Sequence, residues 1–357
     1  MRKLVMSLAM VLGMTSTASA DYTFVVPQKP GGGTTVWTEI VAKELAPFLG
    51  EKIIIRTIPG ARDIPGFNKF HNDLQKDDKT VMVSHGGNGV SFLQENVDYN
   101  YADYTSIGLM NLNIIAGIRK DYKSGDKISF AAGSGMVPEA FAMTMLICGP
   151  DLSMDQYVEC FKKNVTWVSG MSGGERRLAF KRGELNGTRE NPAAYKKHVA
   201  SNPNARVWFT HGILDANSAS HMDDPNYPNM QFEILFKNKY GVAPSGEFYN
   251  AYKLVKSFRD GMQKAIWVRK DNPNAKKLQD ALTAMSKDAT AIANIQKKVG
   301  KYEWKIGVDG NRQRDVLMTF ITKDALRNLV KFNTEALGLK SVYKENLIVQ
   351  SLYKAAT

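Results

Sequence analysis

The chain has few cysteines. Only Cys148 and Cys160 occur in its 357 residues, with eleven residues between them. A zinc site needs more thiol or imidazole ligands at short spacing, and none flank this pair. Because disulfides persist in an oxidising compartment, we predict a structural bridge between Cys148 and Cys160.

A long apolar run is also missing. The apolar stretch at residues 4–14 follows Arg2 and Lys3 and falls well short of the roughly twenty residues that span a bilayer, and no later segment comes close. Small residues at 18–20 complete the pattern of a secretory signal, and cleavage there leaves Asp21 as the first residue. The residue directly after the cleavage site is not a cysteine that could carry a lipid anchor, so we expect a soluble protein exported to the periplasm.

Basic residues exceed acidic ones. The formal net charge is +12, and without Arg2 and Lys3 it is +10. A basic surface attracts anionic partners, although Lys and Arg scattered over helix-like stretches are equally typical of a solvated surface. No basic run is interleaved with aromatic residues, which argues against nucleic-acid binding.

Short β-branched or aromatic runs alternate with segments of helical periodicity, which is typical of an α/β protein with mostly parallel sheets. The exported chain is longer than one hydrophobic core usually serves, so two lobes are expected. We predict lobe 1 from residues 21–125 and 238–357, and lobe 2 from residues 126–237. Predicted elements in the later chain include a strand at 232–236 and one long helix at 314–332.

The most informative segment is VVPQKPGGGTT, residues 25–35, where a predicted strand leads through glycines directly into a helix. Glycines let a ligand approach the main chain closely. The amides of residues 32–35 would be free at a helix N-terminus, where the helix dipole favours negative charge. The segment lacks the glycine spacing of nucleotide-binding loops. It therefore predicts a carboxylate site, and the alternative is a tight turn that binds nothing.

Two further strand-to-helix turns repeat this design. They are SHGGNG at 84–89 and AAGSGM at 131–136. In open α/β sheets ligands lie at the carboxyl ends of strands, where such loops gather. Together the three loops predict one polar crevice for an anion.

The order of several segments resembles one known family. The segments lie at residues 25–35, 58–66, 80–89, 103–110, 128–136 and 167–187. The chain resembles the Bug-type substrate-binding proteins of tripartite tricarboxylate transporters over most of its mature length. The resemblance implies a two-lobed periplasmic binding-protein fold of type II with the ligand cleft between the lobes.

The resemblance also implies a ligand site. Loop amides and hydroxyls of the first lobe, and the loop matching 131–137 of the second, would hold a carboxylate. Residues 189–191 fall where the family has the distal end of the ligand. The full predicted set is Gly32, Gly33, Thr34, Thr35, Ser84, Gly87, Asn88, Gly135, Met136, Val137, Ser169, Arg189, Glu190 and Asn191.

Some residues depart from the family pattern. The family usually has an acidic residue at the position of Thr35, small residues at those of Arg62 and Asp63, and an apolar residue at that of Arg189. The region 201–229 is longer than is typical. The residues expected to anchor the carboxylate therefore look retained, while the ligand specificity of the family cannot be carried over to this chain.

Two other site hypotheses compete with carboxylate binding. The segment Gly170-Met171-Ser172-Gly173-Gly174 matches the nucleophile elbow of serine hydrolases. The last histidine, His221, leaves no room for the separate strands that carry the other triad members, so a hydrolase is the less favoured alternative. A possible metal cluster lacks the helical spacing of strong metal motifs; its members are His211, Asp215, His221, Asp223 and Asp224.

The expected function is that of a solute-binding protein, not an enzyme. We expect the lobes to close on a small organic carboxylate, which the membrane subunits of a tripartite transporter would then accept. We predict no cofactor, no metal, no nucleic acid and a monomer. A sensor that presents its ligand to a signalling receptor stays an alternative, and the sequence does not select one carboxylate.

Overall fold

The computed structural model describes residues 21–60, 63–95, 97–132, 137–301 and 303–339, so the predicted signal segment lies outside the described residues. The strands are β1 (Tyr22–Val26), β2 (Ile53–Thr57), β3 (Thr80–His85), β4 (Tyr104–Met110), β5 (Ile115–Arg119), β6 (Ile128–Ala132), β7 (Val165–Ser169), β8 (Gly187–Glu190), β9 (Ala205–Thr210), β10 (Ile213–Asp215), β11 (Ser220–Met222), β12 (Lys264–Arg269) and β13 (Trp304–Ile306). The helices are α1 (Gly33–Leu49), α2 (Ile64–Asn72), α3 (Pro138–Cys148), α4 (Met154–Asn164), α5 (Gly173–Arg182), α6 (Pro192–His198), α7 (Phe232–Tyr240), α8 (Gly246–Gly261), α9 (Ala275–Lys287), α10 (Ala289–Val299), α11 (Val308–Thr319) and α12 (Lys323–Glu335).

A six-stranded sheet forms the first lobe, in the order β13-β4-β12-β3-β1-β2. Strands β1 to β4 run in one direction, and β12 and β13 run against them. The predicted α/β fold is confirmed. Since β1 and β3 run parallel, their carboxyl ends bring the loops that follow them to the same edge of the sheet.

Both faces of this sheet are covered, which explains its nearly continuous apolar strands. In β12, Ile266 and Val268 pack with Trp37 of α1, while the alternate residue Trp267 packs with Phe258 on the other face. Successive strand residues point to opposite faces, so the four inner positions of β12 are all buried. The sheet is therefore a rigid support for the loops at its edge.

The second lobe contains the antiparallel sheet β8-β5-β9 and the parallel pair β6-β7, with α5 packed against β6 and β8 and α6 packed against β8. The chain enters it through residues 111–114. Strand β5 precedes the predicted boundary at residue 126, yet it pairs with β8 and β9. The remaining lobe limits stay predictions.

Two predicted elements were wrong. Residues 232–236 form the start of helix α7 and not a strand. A short apolar run fits a buried strand and a buried helix equally well, and here Phe232 and Phe236 lie four residues apart on one buried face. The predicted helix at 314–332 is divided into α11 and α12, because Thr322 accepts a hydrogen bond from the Ala325 amide and caps a new helix.

The structure contains the Cys148–Cys160 disulfide, with an S–S distance of 2.00 Å and Cα atoms 6.3 Å apart. The bridge joins the end of α3 to α4. Replacing both cysteines with serine should lower the free energy of unfolding by roughly 3 kcal/mol, because the unfolded chain gains conformational freedom. Thiol titration of the denatured, unreduced protein checks the bridge directly. We expect no reactive thiol, and two would contradict the pairing.

Candidate functional site

A cavity of about 380 Å³, which we call the cleft cavity, lies between the two lobes. The first lobe contributes the start of α1 and the start of β12, and the second lobe contributes α6. Its lining residues are Gly33, Val36, Trp37, Met110, Leu112, Asn191, Ala194, Lys197, His198, Gln263, Lys264 and Lys298. The cavity thus brings together Gly33 and Asn191, two predicted site residues that are distant in sequence and lie on different lobes.

The lining of the cleft cavity is basic. Lys264 and Lys298 face it from the first lobe and Lys197 from the second, and no carboxylate is among the lining residues in the described part of the chain. Cationic side chains around a concave site raise the local concentration of anions. The cavity therefore favours a negatively charged ligand.

The glycine-rich loop leads into α1, whose N-terminus lies at this cavity. Gly31 adopts φ +75°, a left-handed conformation that glycine accepts at little cost, and Gly32 is the extended N-cap. The helix then buries Trp37, Val41 and Leu45 on one face. This packing fixes the direction in which the first amides of the helix point.

Only part of the predicted amide set is free. The Gly32 amide donates to the Lys29 carbonyl at 3.0 Å, and the Thr34 amide donates to Oε1 of Gln28 at 3.1 Å. The amides of Gly33 and Thr35 have no hydrogen-bond partner among the described residues. Thr35 is only 1% exposed, whereas Gly33 is exposed, so Gly33 presents the accessible amide.

Lys264 is a site residue that the sequence did not reveal. It begins β12, and its Nζ donates to Oγ1 of Thr34 at 3.1 Å, which places the ammonium beside the start of α1. Burial lowers the pKa of Lys264 to about 8, with Asp63 opposing the shift and Arg259 adding to it. In the sequence, the only sign of this role is that Lys264 begins a strand whose next four residues are apolar.

A buried cluster of charged residues lies between α3 and α8. The Glu139 carboxylate is fully buried and accepts two hydrogen bonds from Nη1 of Arg259, at 2.9 and 3.3 Å. Arg189 and His211 each approach the same carboxylate at 3.6 Å. Burial alone would raise the pKa of Glu139, but Arg259 and His211 outweigh it and lower that pKa to about 2. The carboxylate therefore stays ionised and holds α3 against α8.

Comparison with known proteins fixes the fold. No family model matches the chain, and no curated protein sequence matches it. The solved structure of the periplasmic binding protein BugD is 16% identical, with 88% of this chain and 97% of that chain covered and a TM-score of 0.56. A TctC solute-binding protein from Polaromonas is 12% identical, with 88% and 98% covered and a TM-score of 0.58. The chain has the fold of the Bug and TctC periplasmic binding proteins.

A third structure with this fold contains a ligand. It is MatC from Rhodopseudomonas palustris with bound malate, which is 15% identical, with 87% of this chain and 97% of that chain covered and a TM-score of 0.50. These structures are of two-lobed binding proteins.

The predicted residues 189–191 of this Bug-like fold have separate surroundings. Glu190 is held by Nη2 of Arg176 at 3.1 Å and Nη2 of Arg177 at 2.9 Å, both within the second lobe. Asn191 caps α6, since its Oδ1 accepts from the Ala194 amide at 2.8 Å. Glu190 is thus paired with two arginines of its own lobe, whereas Asn191 caps the helix whose first turn lines the cleft cavity.

The second glycine loop packs against α8. A Cβ added at Gly86 would lie 1.7 Å from the Arg259 carbonyl oxygen, so only glycine fits there. Ser84 is fully buried and its Oγ accepts from Nε1 of Trp267 at 2.8 Å, while the Gly87 amide donates to Nδ1 of His85 at 3.0 Å. Asn88 lies in the same short turn. Ser84 and Gly87 do not line the cleft cavity, and the role of Ser84, Gly87 and Asn88 in ligand binding stays a prediction.

The remaining predicted residues fall on the second lobe. Val137 is the buried N-cap of α3, and Ser169 is exposed at the end of β7, where its Oγ accepts from Nε1 of Trp167 at 3.2 Å. Gly135 and Met136 lie outside the described residues. Asp63, which departs from the family pattern, pairs with Nε2 of His85 at 2.7 Å.

Ser172 has a structural role in this fold. It caps α5 in a capping box: its Oγ accepts from the Glu175 amide at 3.3 Å, and its own amide donates to Oε2 of Glu175 at 2.7 Å. A helix start explains the glycine-flanked serine without a catalytic triad. Within the described ranges, no group of His, Cys, Asp or Glu is arranged to hold a metal ion, and none of the helices is long and apolar enough to cross a membrane.

Proposed function

We propose that the protein is a Bug-type solute-binding protein that captures a small organic carboxylate in the cleft cavity. The observation that carries this proposal is the position of the Gly33 amide and the Lys264 ammonium at one basic cavity between the lobes. The free amide lies at the N-terminus of α1, where the helix dipole favours an anion. Lys264 adds a full positive charge beside it.

The second lobe completes the site when the lobes lie together. Lys197 and the first turn of α6 line the same cavity as Gly33. A bound carboxylate would therefore be attracted to both walls at once, and hydrogen bonds to an ionised group strengthen as water is excluded. The malate in MatC supports a carboxylate ligand, since that protein shares this fold.

The fold and the sequence both support a transport role. The signal-like segment at residues 1–20 is consistent with export to the periplasm. A protein that binds a carboxylate there would deliver it to the membrane subunits of a tripartite tricarboxylate transporter. No chemical step is part of the proposal.

A thermal-shift screen tests the proposed function. The mature protein is heated with a panel of mono-, di- and tricarboxylates and with the matched neutral amides. At about a hundredfold its dissociation constant, a ligand adds roughly 2.7 kcal/mol and should raise the melting temperature by a few degrees. We expect shifts from one or more acids and none from the amides. Equal shifts for acids and amides would exclude an anion site.

The affinity for the best acid should depend on pH through Lys264. Its pKa of about 8 means that the ammonium loses its charge as the pH rises through that value. We expect affinity to be highest near pH 7 and to fall by about tenfold by about pH 9, where about one tenth of the ammonium keeps its charge. Calorimetry across this interval measures the change. The Lys264→Met variant should bind weakly with little pH dependence, and an equal decline in both proteins would assign the effect to another group.

A further inference from the structure

A second and larger cavity, which we call the basic groove, adjoins the cleft cavity. It has a volume of about 1280 Å³, against about 380 Å³ for the cleft cavity. Six cationic side chains line it: Lys196, Lys197, Arg206, Lys297, Lys298 and Lys301. All six are exposed to solvent.

These cations lack acidic partners. None of the six forms an ion pair with another described residue of the chain. The groove has two acidic residues, Asp224 and Glu303. Oδ2 of Asp224 accepts from Asn113 at 2.8 Å, and Glu303 pairs with Lys305 at 2.9 Å. The groove therefore presents an uncompensated positive charge.

The positive charge is divided between the lobes. Lys196 and Lys197 belong to α6 and Arg206 to β9 in the second lobe, whereas Lys297 and Lys298 end α10 and Lys301 follows it in the first lobe. Like charges on facing walls repel one another when the walls approach. An anion with several charges along its length would relieve this repulsion and connect the two walls.

We propose that the basic groove binds an acidic segment of a partner protein, one that contacts both lobes at the same time. The groove is over three times as large as the cleft cavity, and its cations come from three separate segments of the chain, at residues 196–197, 206 and 297–301. An extended peptide places successive carboxylates on the same side at a spacing of roughly 7 Å, two residues of about 3.3 Å each. Such a segment matches separated, flexible, exposed lysines better than one compact anion does.

The basic groove shares only part of its lining with the cleft cavity, so the two sites can be tested separately. Lys197 and Lys298 line both cavities, but Lys196, Lys297 and Lys301 line only the basic groove. Replacing these three with glutamine removes three charges from the groove without touching the residues proposed to bind the small carboxylate. Lys162, Lys163 and Lys181 are exposed and line neither cavity, so their triple glutamine variant is a control with the same net charge.

The probe is a fluorescent hexaglutamate peptide, and its binding is followed by anisotropy at low ionic strength. We expect the groove variant to bind at least about tenfold more weakly than the parent and the control variant to bind nearly as the parent does. Added salt should weaken the binding of the parent steeply. Equal losses in the two triple variants would show attraction to net charge alone and would overturn the proposal.

A competition arm separates the two sources of carboxylates. Citrate and unlabelled hexaglutamate are compared as competitors at the same total concentration of negative charge. We expect citrate to displace the labelled peptide from the groove much less than unlabelled hexaglutamate does. Equal displacement by the two competitors would assign the groove to small anions and contradict the proposal. The thermal shift of the groove variant with the best small acid should equal that of the parent, so failure of the groove leaves the proposed function intact.

Discussion

Replacing Arg259 with methionine is expected to lower the free energy of unfolding by about 3–5 kcal/mol, the cost of leaving a buried charge without its partner. Glu139 is fully buried and accepts two hydrogen bonds from Arg259, at 2.9 and 3.3 Å. Arg189 and His211 remain 3.6 Å from the carboxylate, where they compensate part of its charge but do not replace these hydrogen bonds. Urea unfolding followed by circular dichroism measures the change.

Two further variants identify the cause. Arg327→Met removes an exposed arginine that pairs with Asp324 at 3.2 Å, and it should cost less than about 1 kcal/mol. The double variant Glu139→Gln/Arg259→Met should be more stable than Arg259→Met alone, because the uncompensated carboxylate is then neutral. A double variant no more stable than the single one would show that Arg259 acts through packing and not through Glu139.

Replacing Gly33 with valine is expected to weaken the binding of every small carboxylate by roughly 10- to 150-fold, which corresponds to the 1.5–3 kcal/mol of a hydrogen bond to a charged group. A Cβ at Gly33 meets nothing within 4 Å, so the valine side chain would occupy the open space before the amide. For the same reason the variant should fold normally. Calorimetry with the best acid gives the affinity.

Gly174→Val is the matched control for this variant. Gly174 also lies in the first turn of a helix, and a Cβ there would have its nearest neighbour, Oγ of Ser172, at 4.0 Å. We expect Gly174→Val to bind the acid as the parent does. Equal affinities for Gly33→Val and the parent would remove the start of α1 from the binding site.

Local sequence patterns predicted the parts of the fold that depend on neighbouring residues. Strand β1, the glycine turn and helix α1 were predictable because the apolar spacing of Trp37, Val41 and Leu45 marks one buried helix face. The short apolar run at residues 232–236 was ambiguous. Gly241, which ends α7 in a left-handed conformation at φ +77°, was the signal for a helix.

The charges of the candidate site were not predictable, because they depend on residues that are distant in sequence. Lys264 meets Thr34 across 230 positions, and Arg259 meets Glu139 across 120. The loop itself was also only half predicted. A strand-glycine-helix pattern indicates free amides, but it does not show that Gln28 turns back to occupy the Thr34 amide.

The resemblance implied two parts of a ligand site, and the structure gives them different surroundings. Gly33 lines the cleft cavity, while Arg189 lies beside the buried Glu139. An arginine that faces a buried carboxylate has less freedom to hold a second carboxylate of the ligand.

A crystal structure of the protein grown with the best acid from the thermal-shift panel would show where the carboxylate binds. We expect the ligand between the lobes, with one carboxylate oxygen within hydrogen-bond distance of the Gly33 amide and the Lys264 Nζ close to the same carboxylate. A carboxylate bound outside the cleft cavity, or inside it with its charge turned away from both Gly33 and Lys264, would exclude the proposed site.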